Sequence, residues 1–218
     1  MIQNSPLFIS FYTTNGKYPE QAKRLKKTLD QFSLDYCIDE LTPFKTWVQA
    51  NTHRIEFIIN KIRKHHRTVI WIDCDCEIRK YPELLMLETD FSIINWHAIQ
   101  GHHLDGKIEY NKDTYKALFS GGISKWSPAS LTLLQMWQQL CIDNNTIPED
   151  QVLSWLWNNQ QNKIPKLNVL WLPKEYLAGL FKVEEVDIII QTEYTPYNNL
   201  TEREMRWEQE NLSIQNRK

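Results

Sequence analysis

The chain has 218 residues, enough for one α/β domain with a sizeable buried core and too few for two full domains. Its net charge of −2 gives no electrostatic footprint for a nucleic acid, while nine Trp and nine Tyr exceed what a core of this size requires and suit a ligand cleft. The opening Met1-Ile2-Gln3-Asn4-Ser5-Pro6 is not a basic-then-apolar leader and no stretch is long enough to span a bilayer, so a cytoplasmic protein with no transmembrane segment is expected.

A first strand is predicted over residues 7–12, ending in the polar turn Thr13-Thr14-Asn15-Gly16. Pro19 opens a helix with Ala22, Leu25, Leu29 and Phe32 inward, and Lys23, Arg24, Lys26 and Lys27 read as its solvated face. Tyr36-Cys37-Ile38 suggests a short second strand. Residues 47–64 form a long helix with Ile55, Ile58, Ile59 and Ile62 inward, and the cations that end it suit the helix dipole without a nucleic-acid partner.

Val69-Ile70-Trp71-Ile72 is a buried strand that runs straight into Asp73-Cys74-Asp75. Two carboxylates this close repel unless a cation neutralises them, and an oxygen-only ligand set favours Mg²⁺ or Mn²⁺. Such ions commonly keep waters and hold phosphates, so a phosphate-bearing substrate is expected; the plainer alternative is that both residues cap a turn. In an extended segment Cys74 and Cys76 point away from the two Asp, which argues against a thiolate metal site. With no C-x-x-C spacing, Cys37, Cys74, Cys76 and Cys141 are expected to be free and mostly buried.

A strand over 91–96 precedes a polar segment, 97–114, with few core-forming residues, read as an active-site loop or lid. Ser120-Gly121-Gly122-Ile123 reads as a turn or a close backbone approach to a ligand. Ser127-Pro128 starts a helix with Leu133, Leu134, Trp137, Leu140 and Cys141 inward. Pro148-Glu149-Asp150-Gln151 starts a shorter helix bearing Val152, Leu153 and Leu156, whose acidic start also suits the dipole alone. Strands over 168–171 and 186–190 follow. Residues 1–199 are read as one domain and 200–218 as a polar helix or tail, and Trp71, Trp137 and Trp155 are assigned to the core.

Strands alternating with helices imply parallel pairing, with ligands beyond the carboxyl ends of the strands, where Asp73, Asp75 and the 13–14 loop lie. In order and spacing, Val69 to Pro82 (VIWIDCDCEIRKYP), Phe119-Ser120-Gly121-Gly122-Ile123, Pro148-Glu149-Asp150-Gln151 and Leu172-Pro173-x-x-Tyr176 together resemble the GT-A type nucleotide-diphospho-sugar transferases. The resemblance implies a Rossmann-like α/β domain with a central, mostly parallel sheet flanked by helices, and a hexosyltransferase-like activity. It implies a UDP- or GDP-sugar donor, a carbohydrate or other hydroxyl acceptor, and Mn²⁺ or Mg²⁺. By the same resemblance, Asp75 ligates the metal, Asp73 touches the ribose or a metal-bound water, and Tyr12, Thr13 and Thr14 receive the nucleoside. Arg54 assists the nucleotide or phosphates, a structural Arg on a helix face being the alternative; Gly121 and Gly122 lie beside the donor sugar, and Asp150, or failing it Glu149, orients the acceptor or acts on its hydroxyl as general base. Many such enzymes add a late His ligand; here Gln191 or Glu193 takes its place. Two other readings stay open: a metal phosphohydrolase using His97, His102, His103 and Asp105 with the Asp pair, and a catalytically silent nucleotide-sugar-binding domain.

Overall fold

In the first and third strands, successive side chains enter opposite layers of the molecule. Leu7, Ile9, Val69 and Trp71 join one hydrophobic cluster, and Phe8, Ile70 and Ile72 join another on the far face of the sheet. The structure, a computed structural model, describes residues 5–100, 109–144, 147–178 and 185–192.

The main sheet contains β1 (Leu7–Thr13), β2 (Tyr36–Leu41), β3 (Val69–Ile72), β5 (Phe91–Asn95), β8 (Phe119–Trp126) and β9 (Val169–Leu172), in the order β2-β1-β3-β8-β5-β9. Pairings β1 with β2, β1 with β3, and β5 with β9 are parallel, whereas β8 is antiparallel to both β3 and β5. The sheet is thus mostly parallel, with β8 alone running against the rest. Two ribbons stand apart from it: β4 (Cys76–Ile78) with β10 (Ile189–Gln191), and β6 (Ile99–Gln100) with β7 (Glu109–Tyr110).

The helices are α1 (Tyr18–Gln31), α2 (Trp47–His65), the single turn α3 (Glu83–Met86), α4 (Leu131–Asp143) and α5 (Glu149–Asn159). Thr46 caps α2 by accepting a hydrogen bond from the Gln49 amide at 3.1 Å, and the left-handed His66 (φ 49°) ends it after Arg63, Lys64 and His65. Helices α2, α4 and α5 cover one face of the sheet. There Trp126 stacks between Phe91, at 4.4 Å, and Trp137, at 5.7 Å between ring centroids. Helix α1, with Leu25 and Leu29 fully buried, covers the other face beside the β4–β10 ribbon.

Several expectations need correcting. Gly121 and Gly122 lie inside β8, not in a turn, and neither has a positive φ. Asp73 to Cys76 is a turn instead of an extended run, closed by the Cys76 amide donating to the Asp73 carbonyl at 3.0 Å. The late strand joins β4 and not the main sheet. Trp155 is 50% exposed, because it falls off the inward stripe formed by Val152, Leu153 and Leu156. Arg24 is not merely solvated: it pairs with Glu77 at 3.3 Å. Residues 101–108 of the lid expected over 97–114, and the whole of the 200–218 tail, lie outside the described residues.

Candidate active site

The carboxyl end of β3 delivers Asp73 to the centre of the sheet's edge. The Asp73 amide continues the β3–β8 ladder by donating to the Gly122 carbonyl at 2.9 Å, which fixes where the following turn begins. Trp71, two residues earlier on the same side of the strand, donates its indole N–H to Asp73 Oδ1 at 2.8 Å. Arg54 Nη1 reaches that oxygen at 3.4 Å.

Arg54 is 4% exposed and organises three elements at once. From α2 it donates to the Gly121 carbonyl at 2.8 Å, touches Asp73, and forms an ion pair with Glu149 Oε1 at the start of α5. Its guanidinium also lies 5.6 Å from the Trp71 ring centroid. A Cβ on Gly121 would sit 2.9 Å from the guanidinium carbon, so this position is glycine because Arg54 needs the space. Gly122 is tight for another reason: a Cβ there would meet Leu177 at 3.1 Å and Asp73 Oδ2 at 3.5 Å.

Asp75, in the turn, faces the end of β10. The Gln191 side chain approaches both of its carboxylate oxygens, at 3.3 and 3.2 Å. The Thr192 amide and hydroxyl hold the Asp75 carbonyl at 3.0 and 2.8 Å. Oxygen and nitrogen of an amide interchange by a flip, so the same Gln191 can turn Oε1 toward a cation between itself and Asp75. Among the described residues no group of three or more His, Cys, Asp or Glu is arranged to hold a metal. Asp75, Asp73 and, after an amide flip, the Gln191 side-chain oxygen are oxygen donors of the kind that Mg²⁺ or Mn²⁺ takes, and they are the residues that could hold such an ion.

The start of α5 is anchored from two sides. Trp137 donates its indole N–H to the Glu149 carbonyl at 2.7 Å; Ser154 donates to the Asp150 carbonyl at 2.7 Å and accepts from the Phe119 amide of β8 at 2.9 Å. Glu149 is 4% exposed and committed to Arg54, whereas Asp150 is half-buried on the rim. Burial pushes the Asp73 carboxyl pKa up; Arg54 and the Trp71 hydrogen bond oppose that, and the Asp150 charge adds to it. Asp150 and Asp73 therefore share one electrostatic neighbourhood.

At the end of β1, the Tyr12 hydroxyl donates to Glu40 Oε2 at 2.7 Å, Thr13 is buried and Thr14 is exposed. Gly16, at φ 61°, makes the turn that follows, a conformation open to glycine. The structure thus brings Arg54, Asp73, Gly121, Gly122, Glu149 and Asp150 into one cluster, with Asp75 and Gln191 beside it and Tyr12 to Thr14 on a neighbouring strand end. Glu193, His102, His103 and Asp105 lie outside the described residues.

The sequence matches no protein-family model and no curated protein. The structure does have a match: a crystal structure of a glycosyltransferase involved in the glycosylation of the major capsid of PBCV-1, with TM-score 0.60 and 12% identity, covering 94% of this chain and 99% of that one. The chain shares the fold of that glycosyltransferase. In that fold the Asp73 to Asp75 turn, the Arg54 cluster and the α5 start converge at the carboxyl edge of the parallel strands, where open α/β sheets bind ligands.

Two contributors escaped the sequence. Trp71 reads as core, yet its period-2 relation to Asp73 was enough to place both on one side of the strand. Thr192, next to Gln191, has no signal of its own, because what it holds is a main-chain carbonyl 117 residues away.

Proposed function

We propose that this protein is a metal-dependent glycosyltransferase that moves a sugar from a nucleoside diphosphate donor, UDP- or GDP-linked, to an acceptor hydroxyl. The observation that carries the reading is the Asp73 to Asp75 turn at the carboxyl edge of a glycosyltransferase fold, with Gln191 brought across Asp75. Asp75, Asp73 and Gln191 would hold the Mn²⁺ or Mg²⁺. When bound, the ion neutralises charge on the donor diphosphate.

The rest is the work of side chains. Tyr12, Thr13 and Thr14 form the strand end that receives the nucleoside. Arg54 acts through Asp73, since its guanidinium contacts Asp73, the Gly121 carbonyl and Glu149. Gly121 and Gly122 keep the floor beside the donor sugar low. Asp150 orients the acceptor hydroxyl and takes its proton, and Glu149 holds Arg54 in place. A cytoplasmic setting belongs to the same reading. No described helix is long and apolar enough to cross a membrane.

Calorimetry with UDP and GDP, each with and without MnCl₂, tests the donor half, and release of free sugar from UDP- and GDP-sugars in Mn²⁺ tests turnover. Metal-dependent binding of one nucleotide with release of sugar supports an enzyme. Binding without any release or transfer would leave a silent sugar-nucleotide-binding domain. Failure of both nucleotides to bind in Mn²⁺ would overturn the reading.

A further inference from the structure

Cys37 and Asp39 stand two residues apart on β2, so both side chains project from one face of that edge strand, toward α2. Lys61, near the end of α2, comes to meet them. Its Nζ donates to Asp39 Oδ2 at 2.7 Å and lies 3.0 Å from Cys37 Sγ, and the thiol donates to Asp39 Oδ1 at 3.3 Å. The same nitrogen is 4.7 Å from the Phe57 ring centroid. Lysine stems ordinarily carry their charge out to water, but Lys61 is 6% exposed, and these three neighbours hold its amine in one place.

The ion pair with Asp39 accounts for a buried ammonium, and a small apolar side chain at position 37 would pack as well against the core on that face. Neither accounts for a sulfur set against an amine nitrogen at contact distance. Access separates this thiol from others in the chain. Cys76 and Cys141 are buried, whereas Cys37 is half-buried on an edge strand, where a small oxidant reaches it.

We propose that Cys37 and Lys61 form a modification site at which hydrogen peroxide joins the two side chains by a covalent S–N bond. In the first step the Cys37 sulfur attacks a peroxide oxygen: the S–O bond forms, the O–O bond breaks, and the departing hydroxide takes the thiol proton and leaves as water. Sulfur is thereby oxidised by two electrons to a sulfenic acid and the peroxide is reduced. In the second step one ammonium proton of Lys61 passes to Asp39, freeing the nitrogen lone pair to attack sulfur. The S–N bond forms, the S–O bond breaks, and the departing hydroxide takes a second ammonium proton and leaves as water. Two molecules of an added thiol reverse the bond, returning Cys37 and Lys61 and leaving as a disulfide. The link ties β2 to α2 about two helical turns from Arg54, outside the Asp73 cluster, and is independent of the glycosyltransferase reading.

The full chain is treated with hydrogen peroxide, its remaining thiols are blocked with iodoacetamide, and a tryptic digest is read by mass spectrometry. The expected product joins residues 28–45, which carry Cys37, to residues 55–63, left uncut after Lys61, and is two hydrogen atoms lighter than the two peptides together. Dithiothreitol added before the blocking step should abolish it. Lys61→Arg keeps the charge facing Asp39 and should form no link; peroxide with dimedone should instead label its Cys37 as the sulfenic acid. Should Lys61→Arg fail to fold, Cys37→Ser serves as the unlinked variant. If Cys37 of the wild type stays unoxidised, or is trapped by dimedone or over-oxidised with no link to Lys61, the proposal is wrong. It is equally wrong if the link forms in the same yield in urea, since the fold would then have no part in placing the pair.

Discussion

Arg54 and Glu149 form an ion pair in which each side chain is only 5% exposed, joining the middle of α2 to the first residue of α5. A buried pair of this kind adds little net stability over an apolar substitute, but removing one partner strands a charge. Glu149→Gln should therefore destabilise the protein by about 3–5 kcal/mol, and an Arg54→Leu/Glu149→Leu double variant should recover much of that loss. Urea unfolding of the three proteins decides it. A single variant as stable as wild type would mean that Glu149 is not what neutralises Arg54.

Gly121→Ala tests the same contact from the opposite side. The added Cβ meets the guanidinium carbon at 2.9 Å and no backbone angle is at issue, so the loss reflects crowding alone, about 1–3 kcal/mol. Combining it with Arg54→Ala should abolish that penalty. If the cost of Gly121→Ala is the same in both backgrounds, the glycine is needed for something other than Arg54.

Asp75→Asn should remove Mn²⁺-dependent nucleotide binding while the melting temperature stays near wild type, since the side chain stands in a turn and not in the core. Equal metal-dependent heats for the two proteins would exclude a ligand role.

Asp150→Asn separates chemistry from donor binding. Turnover should fall by about 10²-fold or more with nucleotide affinity changed only a few-fold, the pattern of a lost general base. A residue serving only the helix dipole would instead cost about 0.3–1 kcal/mol of stability and leave the transfer rate alone.

Lys125 offers a pH test remote from the site. It is 2% exposed, donates to the Leu87 carbonyl, and burial lowers its pKa to about 8 although Glu88 and Asp90 pull the other way. Between pH 8 and the ordinary lysine value the unfolded chain binds more protons than the folded one, so this group makes stability rise with pH across that window. The stability difference between wild type and Lys125→Met should shift toward wild type from pH 8 to 10, by no more than about 3 kcal/mol. A flat difference would show that the ammonium is solvated.

The strands and helices of the main sheet were legible because each is long enough to show its period: Ile55, Ile58, Ile59 and Ile62 mark the inner stripe of α2, and the apolar run before Asp73 marks β3. The direction of β8 was not, since nothing within 119–126 says which way a strand lies beside its neighbours. β4 and β10, at three residues each, are too short for alternation to register. Within the candidate site, the two Asp were singled out by their spacing at a strand end and Arg54 and Gln191 by the resemblance alone, and their distances apart came only with folding. That Glu149 pairs with Arg54 is a contact between residues far apart in the chain, for which no local pattern exists.

The contacts between Gln191 and Asp75 span 116 positions of sequence, more than half the chain. Loop closure over such a distance is among the last events a folding chain completes, because its entropy must be met before the contact returns anything. All six strands of the main sheet are already synthesised before residue 189 emerges. A partly folded or nascent chain can thus own its whole scaffold while the Asp75 turn still lacks its clasp. Any ligand gripped between these two residues would bind only finished molecules, and by mass action would hold the last ribbon closed.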